Sequence, residues 1–101
     1  MHMSHALIAS ENPNRLINRL CKHWGHKFPV HLGENEGRIE LPLGECQLRA
    51  DGTTLAVELQ SNDAEAQGRM RQVVAEHLAR MATGETLAIE WQDGPAARTT
   101  A

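Results

Sequence analysis

Arg38-Ile39-Glu40-Leu41-Pro42-Leu43-Gly44-Glu45-Cys46-Gln47-Leu48-Arg49-Ala50-Asp51-Gly52 is the stretch that decides the fold. Ile39, Leu41 and Leu43 alternate with Arg38, Glu40 and Pro42, and beyond Gly44 the alternation resumes in Cys46, Leu48 and Ala50. A period of two puts the apolar set on one face of an extended chain, so strands are predicted here with Cys46 pointing coreward. Asp51-Gly52 has the chemistry of a tight hairpin turn, since both residue types tolerate positive φ, and Leu55, Val57 and Leu59 carry the pattern into the next strand. Upstream, Phe28, Val30 and Leu32 alternate with Pro29 and His31 before a turn from Gly33 to Gly37. Pro29 marks that strand as an edge or a strand beginning.

Two amphipathic helices interrupt the strands. Asn12-Pro13 reads as a helix start, because Asn caps orphan backbone donors and Pro at the first helical position loses no needed hydrogen bond. From there to about Trp24, the residues Leu16, Ile17, Leu20, Cys21 and Trp24 share one stripe, with Arg15, Arg19 and Lys22 opposite and Gly25 as the stop. Asn62 and Glu65 match a capping box for a second helix, whose apolar face is Ala66, Met70, Val73, Val74, His77, Leu78 and Met81. A short strand over His5–Ala9 precedes the first helix, and Leu87, Ile89 and Trp91 alternate as a final strand after Thr83-Gly84. The order is β-α-β-β-β-β-α-β: an α+β two-layer sandwich, a mainly antiparallel sheet with two helices on one face. One domain over residues 4–92 is expected, with residues 93–101 a flexible tail.

The 101 residues are 41% apolar with only Trp24, Phe28 and Trp91 as aromatics, so aliphatic side chains must carry the core. The net charge of −3 argues against a protein that coats nucleic acid, and with three aromatics in a net acidic chain nucleic-acid binding along the Arg15-Arg19-Lys22 face is not expected. The charge is lopsided. From Asn12 to Gly33 there are Arg15, Arg19, Lys22 and Lys27 and no acid, a charge of +4 that leaves −7 for the rest. His23, His26 and His31 lie in the same stretch, and histidine gains charge below a pH of about 6.5, so an anion bound there should bind more tightly on acidification. Two cysteines are too few for a disulfide scaffold, and the first residues lack the basic preface and apolar run of an export signal. A reducing cytoplasm is expected. The apolar stretch Ala6–Ala9 is far too short to span a bilayer, so no membrane insertion is expected.

Chemistry concentrates in Leu20-Cys21-Lys22-His23-Trp24-Gly25-His26-Lys27-Phe28. A basic pocket in which Lys22, His23, His26 and Lys27 surround the Trp24 wall would suit a carboxylate, phosphate or phenolate, or an acidic partner surface. The same residues also have a plain structural reading: cations near a helix C-terminus interact favourably with its unpaired carbonyls, and Cys21 and Trp24 fill a core. A metal set of Cys21, His26 and Cys46 would require convergence to about 2.0–2.3 Å of one ion, if the helix lies over that strand. Cys21 and Cys46 facing each other would make a thiol-redox pair, though burial would render them inert. His77, on an apolar stripe, must find a hydrogen-bond partner or line a cavity. No nucleophile elbow or phosphate loop occurs, and no catalytic residue is assigned. Three functional classes remain: a binding module, a metal or thiol-redox protein, and a structural or adaptor domain with no ligand.

The string Cys21-Lys22-His23-Trp24 with His26-Lys27, together with Gly37-Arg38-Ile39 and Pro42-Leu43-Gly44-Glu45-Cys46-Gln47-Leu48, resembles the bacterial domain of unknown function 2218 family from about Ala6 to Trp91. The resemblance implies a context rather than a reaction. Such domains stand beside, or are fused to, flavin-dependent siderophore-interacting reductases, which makes such a reductase a candidate partner and iron-siderophore metabolism a candidate setting. The chain has no flavin-binding segment of its own.

Overall fold

The computed structural model describes residues 2–94, folded as β1 (His2–Ala9), α1 (Pro13–Trp24), β2 (Val30–Gly33), β3 (Glu36–Leu41), β4 (Gly44–Asp51), β5 (Thr54–Ser61), α2 (Ala64–Met81) and β6 (Gln92–Asp93). The element order and the α+β class agree with the sequence reading. All six strands form one antiparallel sheet in the order β2-β3-β4-β5-β1-β6. Helix α1 packs over β3 and β4, α2 over β5 and β1, and the helices touch each other on that same face. Among the described residues, no helix is long and apolar enough to cross a membrane.

Register explains why one face is dry. Paired residues share a face, so Ile39, Cys46, Leu59 and Ser4 form one row across β3, β4, β5 and β1, and Gly37, Leu48, Val57 and Ala6 form the next. Ile39, Cys46, Leu59 and Val57 are fully buried under the helices. The row between them on the far face is Arg38, Gln47, Glu58 and His5, which is polar throughout. This is a sheet covered on one side only.

Gly37 is where α1 comes closest to the sheet. A Cβ there would lie 2.8 Å from Cys21 Sγ and 3.0 Å from Ile17 Cγ2, so only glycine lets the helix settle at this depth. Gly44 plays the same part for α2, since a Cβ would meet the Gln60 carbonyl oxygen at 2.1 Å and Met70 Sδ at 2.9 Å.

One edge of the core is polar. Ser61 Oγ donates to Gln67 Oε1 at 2.6 Å, and Gln67 Nε2 donates to Ser4 Oγ at 2.8 Å and to the Leu59 carbonyl at 3.2 Å. Arg71 Nε reaches the same Ser4 oxygen at 2.7 Å. Ser4, Ser61 and Gln67 are buried, which such a network permits because every group finds a partner.

Several boundaries differ from the sequence expectation, and β1 begins at His2, three residues ahead of the expected His5. Phe28 and Pro29 lie outside the strand, because the amides of Lys27 and Phe28 both return to the Trp24 carbonyl and carry the chain through an extra turn. The cap of α2 is Asp63 rather than Asn62: its carboxylate accepts from Ala66 N, one residue later than a box with Glu65 would have it. The bend between β3 and β4 falls at Pro42-Leu43, ahead of Gly44. Leu87, Ile89 and Trp91 do alternate inward, but as irregular chain packed against the core; ladder pairing with β1 begins only at Gln92. Glu85 anchors the start of this segment by accepting from Ser10 Oγ and Glu11 N. Asp93 and Gly94, placed in the tail by the sequence reading, are held on β1, Asp93 pairing with Ser4 and the Gly94 amide donating to the Met3 carbonyl at 2.8 Å, and residues 95–101 of the expected tail lie outside the described residues.

Candidate functional site

Helix α1 forms because Asn12 accepts from Arg15 N, Pro13 opens the first turn, and Leu16, Ile17, Leu20, Cys21 and Trp24 present one apolar stripe to the sheet. All five are buried. Burying them fixes the helix rotation, and rotation decides what its end offers to solvent. Lys22 and His23 project outward from the last turn, and His26 and Lys27 are exposed in the turn that follows. Gly25 ends the helix with a right-handed φ of −62°, its amide donating to the Cys21 carbonyl at 2.8 Å, so the stop is a continued turn rather than a left-handed cap.

Helix α2 contributes His77. Its ring lies 4.8 Å from the Trp24 indole at a tilt of 39° and 5.2 Å from the His23 ring, while His23 and Trp24 are 6.3 Å apart. Trp24 is the buried floor, His77 a half-buried wall and His23 an exposed lip. His77 Nδ1 lies 2.7 Å from the Val73 carbonyl, which can only accept, so Nδ1 carries the hydrogen. Nε2 is left as the free ring nitrogen, an acceptor in the neutral ring and a donor in the protonated one. The sequence singled out His77 as a residue needing a partner; the helix backbone supplies it.

Among the described residues, the side chains of Lys22, His23, His26 and Lys27 make no hydrogen bond and no ion pair, in contrast to Arg38 with Glu45, Arg71 with Asp93 and His31 with Glu40. Arg19, nearer the start of α1, is used structurally: it donates to the Met81 carbonyl at 2.7 Å and Thr83 Oγ1 at 2.9 Å, closing the end of α2. Lys22, His23, His26 and Lys27 are exposed around the buried Trp24. Grooves lie away from these side chains, at Gln67 and Arg71, at Arg15 and Glu85, and at Asn35 and Arg49.

The thiols do not join this surface. Cys21 and Cys46 are unpaired and buried between α1 and the sheet. Burial raises both above the ordinary thiol range, and Cys46 is raised further by Cys21 and Glu45. Thiolates at such sites are disfavoured, which makes both groups poor nucleophiles and poor ligands. His26 is exposed in the turn while Cys46 lies under the helix, and among the described residues no three of His, Cys, Asp and Glu are placed to hold a metal ion. The set Cys21, His26 and Cys46 is therefore not assembled.

The solved NMR structure of PA4090 from Pseudomonas aeruginosa superimposes with a TM-score of 0.78 and 42% identity, covering 91% of this chain and 96% of that one. No curated protein matches the chain. A family model described as "Uncharacterized protein conserved in bacteria (DUF2218)" matches residues 5–92. With that match running from β1 into β6, the chain belongs to the DUF2218 family of bacterial proteins.

Proposed function

We propose that the protein is a cytoplasmic binding module that docks an acidic partner surface on the positive end of α1. The observation that carries this reading is that Lys22, His23, His26 and Lys27 are all exposed and unpaired among the described residues, on a segment with no acid from Asn12 to Gly33. A purely structural role, in which cations offset the helix dipole, accounts for about 0.3–1 kcal/mol per group. It does not account for all four side chains standing without a carboxylate partner in a chain whose remainder carries a charge of −7. Four exposed cationic or imidazole side chains on a helix end and its following turn favour a partner of protein size, because a small ligand needs a concavity to bury most of its area. Charge complementarity of this kind chiefly raises the association rate and orients the partner. His77 and Trp24 form the firm base of the surface: the indole cannot move without opening the core. An acidic face of a flavin-dependent siderophore-interacting reductase is the partner to try first.

Two-dimensional NMR of the labelled protein, titrated separately with a glutamate-rich peptide and with citrate, tests the reading. Shifts confined to Lys22–Lys27, the Trp24 indole N–H and His77, and larger for the peptide than for citrate, support it. Citrate shifts that saturate earlier than the peptide's would favour a small-anion site, and an unmoved helix end with both would remove the proposal.

A further inference from the structure

At the opposite end of α2 lies a groove of about 630 Å³ between the first turns of the helix and the start of β1, well away from the basic surface. Its one cation from the helix is Arg71, and that cation is held from behind. Arg71 Nε donates to Ser4 Oγ, which Gln67 also engages, and Gln67 is fixed in turn by Ser61; all three supports are buried. A guanidinium fixed through Nε presents its outer edge in one orientation, which is the geometry that recognises a carboxylate. At that edge sits the carboxylate of Asp93, bonded to Arg71 Nη2, yet 95% exposed and carried on a two-residue strand. Gly68 completes the arrangement. It stands inside α2, where glycine weakens a helix relative to alanine, and a Cβ there would meet nothing within 4 Å, so neither packing nor backbone conformation calls for glycine. What its missing side chain leaves is open space in the groove.

We propose that this groove is a binding site for a small organic carboxylate, with Arg71 as the anchor and Asp93 as a tethered internal competitor that occupies the anchor when the ligand is absent. The ligand carboxylate takes the outer edge of Arg71, Asp93 is released to solvent, where it already lies almost wholly, and the apolar part of the ligand lies over Gly68. A tethered group competes at an effective concentration of about the millimolar range, so removing its charge should tighten binding.

Benzoate titrations followed by NMR, including the Arg71 side-chain Nε–Hε signal, test this on the full chain. The expected results are a saturable shift at Arg71, affinity at least about fivefold tighter in Asp93→Asn, and affinity at least about tenfold weaker in Gly68→Leu, which fills the groove while favouring the helix. Unfolding midpoints of both variants at or above that of the parent establish that the fold is intact. Benzoate binding that is unchanged in Asp93→Asn, binding that survives Gly68→Leu, or no Arg71 shift in either the parent or Asp93→Asn overturns the proposal.

Discussion

Replacing Gly37 by alanine should destabilise the protein only while Cys21 keeps its sulfur. The new Cβ would stand 2.8 Å from Cys21 Sγ and 3.0 Å from Ile17 Cγ2, under the helix that carries the basic surface. Overpacking of this kind costs about 1–3 kcal/mol. Against it stands about 0.5–1 kcal/mol gained by putting alanine in place of glycine within a strand. Gly37→Ala alone should therefore lose up to about 2.5 kcal/mol. In a Cys21→Ala background the nearest obstacle is gone, the added methyl occupies part of the vacated space, and the same substitution should be neutral or stabilising by up to about 1 kcal/mol. Urea unfolding of the parent, the two single variants and the double variant gives the coupling energy, provided m stays constant. A coupling above about 1 kcal/mol confirms that α1 rests on Gly37 through Cys21, whereas additivity within about 0.5 kcal/mol refutes it.

Gln67→Ala removes hydrogen bonds to Ser4, Ser61 and Leu59 in a dry environment and should lose about 2–4 kcal/mol by urea unfolding, against near zero for Ala at the exposed Gln72. Truncating Trp24 to alanine should cost about 3–5 kcal/mol, as removal of a core aromatic, while the triple change of Lys22, His23 and Lys27 to alanine leaves stability within about 1 kcal/mol. Both thiols are raised by burial, so at alkaline pH the unfolded chain releases protons that the folded one retains. Stability is thus unaffected by the thiols below about pH 8.5 and falls above it, with a slope approaching about 1.4 kcal/mol per pH unit from Cys46, the thiol that burial raises further, so the loss between pH 8 and pH 10 should shrink in Cys46→Ala.

The fold was legible because its sheet is buried on one side only. A one-sided sheet writes a period of two into every strand, and Ile39, Cys46, Leu48, Val57 and Leu59 fall where that period puts them. The alternation of Leu87, Ile89 and Trp91 misled about pairing, since irregular chain packed on the core and a strand within a ladder leave the same mark on composition. The cap of α2 slipped by one residue because Asn62 and Asp63 are both good caps and only backbone geometry selects between them. At the candidate site, the outward direction of Lys22 and His23 followed from the helical period, and the inward direction of Cys21 and Trp24 from the same source. The meeting of His77 with Trp24 did not, because it depends on how two helices distant in sequence cross. Gln67 left no trace at all: a polar residue on an apolar stripe reads as a boundary until Ser4 and Ser61, from two different strands, arrive beside it.

The most direct measurement compares two double variants with the same change in net charge for binding of one glutamate-rich peptide. Lys22→Glu with Lys27→Glu reverses the end of α1, and Arg38→Glu with Arg49→Glu reverses the far face of the sheet; all four side chains are exposed. If α1 presents a docking surface, the first pair should weaken binding at least about tenfold and flatten its salt dependence, with the second changing it by no more than about twofold. Equal losses from both pairs would mean that the peptide responds only to overall charge, and would contradict a surface built at the end of this helix.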